Sequence, residues 1–564
     1  MSPAPSAPIA AKPLAPAHHL DAQLLWPHLP SAWILAKGPT WLAINKPVEC
    51  GETLPLGPGN ALLPRLARAQ DLPHTPPLWS LLLPPISAAL KPHLRDDAST
   101  SGVSVIQLTP TLEPLLAANP SDLEQTWLIG VRNLPALGSP AGEGLTAGLA
   151  AMGVQLRERG RNADRVLLEV TIRDTCDWPA ELHRRGCPVV GLSRTRSAGE
   201  WPDHALMHRL RVRWGTTRLE APPPDRFKRW LHGAATPFPD RLKDALRRRY
   251  GLGHAADTDA FRLFDDERGL TLDCYGSDLV LSSYDALPDP LRAPKRLASA
   301  LTQARTNAAL VGQLLGARTV WLKLRPQQAN QIVDAQRLGL VPTEPVFGTR
   351  VTPQGEAVIA ESGVRYWVRL GDGLSTGIFL DQRDNRRWIH DHAADLRVLN
   401  TFSYTCGFSV AAAVGGARRT VSVDASAGAL ERGRANLALN GLDDPALHDT
   451  LRGDVFEWLP RMARRGDRFD LIVLDPPSYA KVKKRRFSAM RDYAELLASA
   501  AELLAPGGTI LCCINHAKVE RRRFEQMVRE GSHIARREVR ALQHCKPGVD
   551  HPSGRMKSLR LRLD

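Results

Sequence analysis

The residues best suited to chemistry lie at the ends of apolar runs between positions 396 and 516. The run LRVLNTF leads into Ser403-Tyr404-Thr405-Cys406-Gly407-Phe408. A turn at Gly407 lets backbone approach a ligand and opens a helix whose first amides face it. Phe402 and Tyr404 shape that turn. The run RTVSVDA carries Asp424, a carboxylate placed to accept hydrogen bonds from a ribose diol. Further on, Gly453-Asp454-Val455 puts Asp454 where it can face an adenine amine. The run FDLIVL ends in Asp475-Pro476-Pro477-Ser478-Tyr479. Its two prolines fix the backbone and leave carbonyls without local donors, which suits gripping a planar amino group or a base edge. Asp475 is a candidate proton acceptor, and Tyr479 a candidate for stacking on a base. An acidic residue at a strand end is more often a helix cap. The four features in this order are what make a site.

Such groups must be held by a sheet. The runs LRVLNTF, RTVSVDA, FDLIVLDPP and GTILCCI alternate with helical stretches, which predicts a parallel sheet covered by helices. Ligands of such sheets bind at the carboxyl ends of the strands. Upstream, Pro239–Tyr250 reads as a basic helix and FRLFDDERGLTLDCYGSDLVLSSY as hairpin strands. Ala293–Leu315 reads as a helix and TVWLKLRP as a strand. From Trp33 to Leu231 short strands dominate: WILAKGPTWLAINKP, GVSVIQL, TWLIGV and RVLLEVTIRD. Residues 1–29 are rich in proline and alanine and read as a flexible leader. The expected domains are 30–232, a small central 236–360 and 361–564.

In order and spacing, the four strand-end features resemble the class I S-adenosylmethionine-dependent methyltransferases. GDGLSTGIFLDQRDNRRWI, followed by VLNTFSYTCGFSV, is similar to the large-subunit 23S ribosomal-RNA methyltransferases. So are residues 258–276, VWLKLRP, and the tail 543–557 with Asp550-His551-Pro552. The resemblance covers about 236–564. It implies an α/β Rossmann-like methyltransferase domain at the C-terminus and a small α+β central domain facing RNA. It also implies S-adenosyl-L-methionine as cofactor, ribosomal RNA, 23S first, as substrate, and a homodimer as one arrangement that relatives adopt. It places Asp381, Gln382 and Arg383 at the cofactor pocket. Cys406 stands where the family usually has glycine, and a tighter pocket is the expectation.

The first part resembles the RluA-like pseudouridine synthases, over about 30–232. Trp41–Pro47 is similar to their opening strand and Arg95–Gly102 to their catalytic loop. Pro188–Gly191 and Leu219–Pro222 match later signatures. The resemblance implies an α+β pseudouridine-synthase-like domain with Asp97 at the nucleophile position. Trp127 stands where that family has tyrosine. Asp174-Thr175-Cys176-Asp177-Trp178-Pro179 stands where a Gly-Arg-Thr-His-Gln-Ile-Arg stretch is expected. A carboxylate without its cationic partner loses orientation and charge balance. The expected role is therefore RNA binding, with isomerisation of uridine through Asp97 as the alternative.

Two chemistries compete for the methyl group. Carbon 5 of cytosine needs a thiolate to attack carbon 6; a base nitrogen needs only a positioned lone pair. Relatives that make 5-methylcytosine carry a cysteine just after the fifth strand, where this chain has Asn515 and His516. Cys512 and Cys513 fall inside the strand, where a cysteine is usually a small core residue. The expectation is therefore a guanine nitrogen rather than cytosine carbon 5.

Composition frames the rest. The 564 residues carry 74 Lys+Arg against 59 Asp+Glu, a formal charge of +15 that favours an anionic partner. Basic runs at Arg461–Arg468, Lys481–Arg486 and Arg521–Arg523 suggest a phosphate-binding rim. Eight cysteines without a CxxC pair argue against zinc or redox chemistry, so no metal is expected. Sparse cysteine use fits a reducing cytoplasm, and no apolar segment is long enough for a spanning helix. A non-catalytic RNA-binding assembly factor is the remaining alternative.

Overall fold

A computed structural model describes residues 34–37, 41–46, 101–107, 123–173, 176–191, 206–234, 237–249, 252, 257–266, 269–284, 294–324, 340–482, 485–516, 519–546, 548, 550–551 and 556–564. Asp97, the leader and Asp174-Thr175 lie outside the described residues. The described residues form two compact units, one within 20–251 and one within 252–564.

The first unit is built on an antiparallel-rich sheet. Its strands are β1 (Ile34–Lys37), β2 (Trp41–Lys46), β3 (Ser101–Gln107), β4 (Glu124–Arg132), β5 (Val154–Asn162), β6 (Arg165–Ile172), β7 (Met207–Trp214) and β8 (Thr217–Glu220). The order is β1-β2-β3-β7-β4-β6-β5, with β8 on β7, and only β3 and β7 run parallel. Strands β4 and β6 are buried along nearly their whole length because α1 (Pro140–Ala150) and α2 (Trp178–Arg184) supply core residues beside them. Leu145, Leu149, Trp178 and Leu182 pack with Trp127, Ile129, Val166 and Leu168. Asp177 caps α2 by accepting from the Ala180 amide at 3.3 Å, and Trp178 is wholly buried. Asp177 and Trp178 therefore start a helix rather than line a site. The helices α3 (Arg226–Leu231) and α4 (Phe238–Arg248) complete this unit. The basic helix thus groups with the first unit, whereas a domain opening at 236 would have placed it in the second.

The second unit begins with β9 (Ala260–Asp265), β10 (Leu270–Tyr275), β11 (Asp278–Ser283), α5 (Pro294–Leu315), β12 (Thr319–Leu324) and β13 (Phe347–Gly348). β9 to β11 form an antiparallel meander; α5 then crosses over so that β12 pairs parallel with β11. A hairpin follows, β14 (Glu356–Glu361) and β15 (Val364–Arg369). Residue 360 lies inside this hairpin, so no boundary falls there. Tyr275, Val280 and Trp321 of the small sheet share one core with Ile359, Tyr366, Val410 and Leu430.

The remaining elements are α6 (Arg383–His392), β16 (Arg397–Thr401), α7 (Gly407–Val414), β17 (Arg419–Asp424), α8 (Ala427–Leu439), β18 (His448–Arg452), α9 (Val455–Arg464), β19 (Phe469–Leu474), β20 (Tyr479–Val482), β21 (Arg485–Ser488), α10 (Ala489–Ala501), β22 (Leu504–Asn515), α11 (Arg521–Ile534), β23 (Val539–His544) and β24 (Met556–Leu563). The main sheet has the order β18-β17-β16-β19-β22-β24-β23. β16 to β19 and β22 are parallel, as alternation of strand and helix predicted, and the tail closes the sheet antiparallel. The order reverses between β16 and β19, which opens a crevice at their carboxyl ends.

Candidate cofactor and base site

A cavity of about 470 Å³ lies at that crevice. Phe402, Tyr404, Gly407, Asp424, Asp454, Asp475, Pro476 and Pro477 all line it, as does Gln382. Each acidic residue follows or ends a parallel strand, so the sheet brings together side chains far apart in sequence.

The turn after β16 differs from the expectation. Gly407 does not take up the strained backbone; Phe402, Tyr404 and Cys406 do, with φ of 52°, 50° and 61°. Left-handed backbone is costly for residues with a Cβ, and clusters of it mark ligand sites. Asp424 clamps this turn. One carboxylate oxygen accepts from the Tyr404 amide and the other from the Ser426 amide, both at 2.8 Å. Each oxygen keeps a lone pair for a ligand hydroxyl. Asp454 accepts from the Phe456 amide at 3.0 Å and caps α9, so it is both a cap and a cavity wall.

Cys406 does not narrow the pocket. Its side chain is fully buried, packs with Val410 and Leu430, and is absent from the cavity wall. A Cβ built on Gly433 would stand 2.3 Å from its sulfur. Replacing a helical glycine by alanine usually gains about 0.5–1 kcal/mol. Here Gly433→Ala is expected to destabilise, and Cys406→Gly in the same chain to rescue it. Urea midpoints of the two single variants and the double variant test the coupling; additive shifts would show that the contact is not limiting.

Of the Asp381-Gln382-Arg383 run, only Gln382 reaches the cofactor cavity. Its amide donates to Asp475 at 3.0 Å. Asp381 lines a smaller adjoining cavity. Arg383 is buried in a two-bond pair with Asp550, each bond 2.7 Å. Arg386, Asn515 and Met556 also line the main cavity and were not singled out from the sequence.

Asp475 is the electrostatic centre of the site. Burial and the nearby Asp381 carboxylate push it up to about 7, against the opposing effects of the Gln382 hydrogen bond and the Arg386 charge. Tyr479 is 69% exposed, and its hydroxyl lies 3.2 Å from His516 Nε2. The Ser478 hydroxyl bonds the Asn515 carbonyl and ties the Asp-Pro-Pro loop to the end of β22.

The basic runs divide. Arg464, Arg465 and Arg468 precede β19 and so lie at the amino edge of the sheet, opposite the cavity. Arg461 and Arg465 lie over the Trp458 ring, and Arg465 pairs with Asp467. Arg521–Arg523 open α11 just past β22, at the carboxyl edge. Among the described residues, no cluster of three or more His, Cys, Asp or Glu is arranged to hold a metal, and no helix is long and apolar enough to cross a membrane.

A crevice at the reversal of a parallel sheet, with a clamped turn and acidic residues on successive strand ends, defines a nucleoside-cofactor site. The chain belongs to the S-adenosylmethionine-dependent methyltransferase family, whose sequence profile matches residues 258–562. Its methyl donor is S-adenosylmethionine. Among its relatives, the ribosomal RNA large subunit methyltransferase of Deinococcus radiodurans is 34% identical over 391 residues, covering 66% of this chain and 91% of that protein. Ribosomal RNA large subunit methyltransferase I of Aeromonas salmonicida is 33% identical over 367 residues, 64% of this chain and 84% of that protein. A solved S-adenosylmethionine-dependent methyltransferase from Streptococcus mutans matches at 27% identity and a TM-score of 0.45, over 61% of this chain and 85% of that one.

The cavity is chemically suited to a nucleoside: the Asp424 carboxylate is held by two amides, Asp454 stands one strand further, and Phe402, Ile378 and Phe408 supply apolar walls.

Proposed function

We propose that this methyltransferase acts on ribosomal RNA, 23S first, and methylates a guanine nitrogen rather than carbon 5 of cytosine. The carrying observation is the Asp475-Pro-Pro loop on a cavity wall that holds no cysteine among the described residues; Cys545 lines the adjoining cavity, and burial pushes its thiol up, away from the thiolate form. Cys512 and Cys513 are fully buried inside β22. Burial pushes Cys512 up to about 12 and Cys513 well above its usual range, so neither is a thiolate near neutral pH. The names of the Deinococcus and Aeromonas relatives support the RNA substrate.

S-adenosylmethionine supplies an electrophilic methyl group on a sulfonium. Asp475 then has one of two tasks. If the target is an amine or N–H nitrogen, its carboxylate takes the proton that leaves. If the target is a ring nitrogen bearing a lone pair, the base keeps the positive charge and the carboxylate balances it. In both cases the ionised form is the active one. Mapping ribosomal RNA modifications by mass spectrometry in cells lacking the gene tests the proposal. Loss of a methylguanine is expected. Loss of a 5-methylcytosine instead would overturn the nitrogen assignment, and an unchanged map would overturn the substrate.

The rim supports an RNA partner. Three arginines in the first turn of α11 face the positive end of its dipole, which disfavours the helix. That placement suits a phosphate-bearing ligand. Arg521→Ala with Arg522→Ala is expected to weaken RNA binding and to flatten the slope of log affinity against log salt by about 1–2. Filter binding at several salt concentrations measures it; an unchanged slope would remove these residues from the interface.

For the first unit the reading is an RNA-holding domain of pseudouridine-synthase-like descent. One observation favours the second reading, isomerisation through Asp97. His208-Arg209-Leu210-Arg211 on β7 has the order of His-Gln-Ile-Arg, and β7 runs parallel beside β3, which follows the Asp97 stretch. In this second reading 207–212 would supply the cationic stretch that 174–179 lacks. His208 and Arg226 both bond the Ser101 hydroxyl, at 3.0 and 3.3 Å. Counting pseudouridine in ribosomal RNA from cells carrying Asp97→Ala decides the matter: an unchanged count ends this reading.

A further inference from the structure

We propose that the smaller cavity beside the cofactor site seats the flipped target base, and that Thr271, Asp265 and His551 read its edge. This rests on the reading of the chain as an RNA base methyltransferase. The cavity has a volume of about 130 Å³. One wall comes from β9 and β10 of the small sheet, the other from the start of α6 and the closing segment around His551. It shares Asn515 and Met556 with the cofactor cavity. A base in it therefore lies next to the place where the methyl group is delivered.

Each of the three carries a buried polar atom without a hydrogen bond. Thr271 is 2% exposed, and its hydroxyl has no hydrogen-bond partner. His551 is 7% exposed; Nδ1 lies 3.3 Å from Asp550, while Nε2 is buried without a partner. Asp265 Oδ2 accepts no hydrogen bond, and its nearest ion-pair partner, Arg262, is 3.5 Å away. Buried polar atoms in native proteins are nearly always hydrogen-bonded. Three exceptions around one cavity, which opens onto a methyl-transfer site, point to a ligand that completes them.

The chemistry of the three selects the ligand. A carboxylate beside a hydroxyl accepts from adjacent donors, and an imidazole nitrogen bonds an acceptor. The Watson–Crick edge of guanine offers two neighbouring donors followed by a carbonyl. Cytosine offers one amine donor, and uracil one ring donor. Because base edges inside a duplex are already paired, the base must leave its stack to enter.

Thr271→Val and His551→Gln test this in the full chain. The assay uses radiolabelled S-adenosylmethionine and ribosomal RNA extracted from cells lacking the gene. Both variants are expected to keep cofactor affinity within twofold by calorimetry and to lose tenfold or more in kcat/KM for RNA. Thermal unfolding of Thr271→Val without RNA is expected to be unchanged or raised, because the lost hydroxyl has no partner there; a purely structural role would lower it. If His551→Gln fails to fold, Thr271→Val carries the test alone. Wild-type methylation kinetics in Thr271→Val would overturn the proposal and leave the cavity a water site. A wild-type protein that binds cofactor but methylates none of this RNA would overturn the ribosomal-RNA reading and this one with it.

Discussion

Asp475→Asn is expected to slow methyl transfer about a hundredfold or more, while making the folded protein more stable above pH 7. Both effects come from one group. The carboxyl ionises at 3.8 when unperturbed and at about 7 in the fold, because burial and Asp381 oppose its charge. Between those values the folded state holds a proton that the unfolded chain has released. Stability therefore falls as pH rises from about 4 to about 7, and the full loss is present above 7. Asparagine removes that loss and can keep the contact with Gln382, which donates to Oδ2 at 3.0 Å in the native protein. The wild-type rate should rise through about pH 7 as Asp475 ionises, then level. The variant should lose that inflection. Rates at saturating cofactor between pH 5 and 9, with melting temperatures at pH 5 and 8, measure both. A variant that keeps the wild-type pH profile would show that Asp475 does not govern the step. The trade of stability for activity is what a functional carboxylate in a low-dielectric wall entails.

Much of this site is legible in the sequence because a parallel sheet is a regular device. Apolar runs fix the strands, and whatever ends each run must lie at the crevice; Asp424 and Asp475 follow directly. The triplet Asp381-Gln382-Arg383 was harder. Successive residues of a helical turn point about 100° apart, so three in a row cannot all face one cavity. Gln382 faces it, and its helical neighbour four residues on, Arg386, joins it. That i, i+4 relation is legible in the sequence. The left-handed backbone at Cys406 was not readable, since a residue with a Cβ gives no local sign of positive φ. Met556 reaches the cavity only because the tail returns antiparallel to β22, a long-range pairing that no local pattern encodes.

Arg386→Met should be the most destabilising of the substitutions considered, at about 3–5 kcal/mol. Arg386 and Glu361 are 4% and 3% exposed and share two hydrogen bonds of 2.8 Å. The guanidinium also donates to the Phe379 carbonyl at 2.9 Å. Removing it leaves Glu361 charged, buried and unpaired, which costs far more than the pair itself contributes. The partner change distinguishes the two. Glu361→Leu in the same chain removes the stranded charge and should recover most of the loss, because a buried pair replaced by apolar groups is often neutral. Function should not recover with it. Glu361 ends β14 of the hairpin, while Arg386 lines the cofactor cavity from α6. The pair therefore fixes the face that carries Gln382, and through Gln382 the orientation of Asp475. Urea unfolding of both single variants and the double variant gives the coupling energy, and calorimetry gives cofactor affinity for each. A stable double variant with weakened cofactor binding would assign the pair to positioning rather than to stability. A single Arg386→Met variant that loses less than about 1 kcal/mol would mean that water reaches Glu361, and that the wall of the site is softer than this geometry requires.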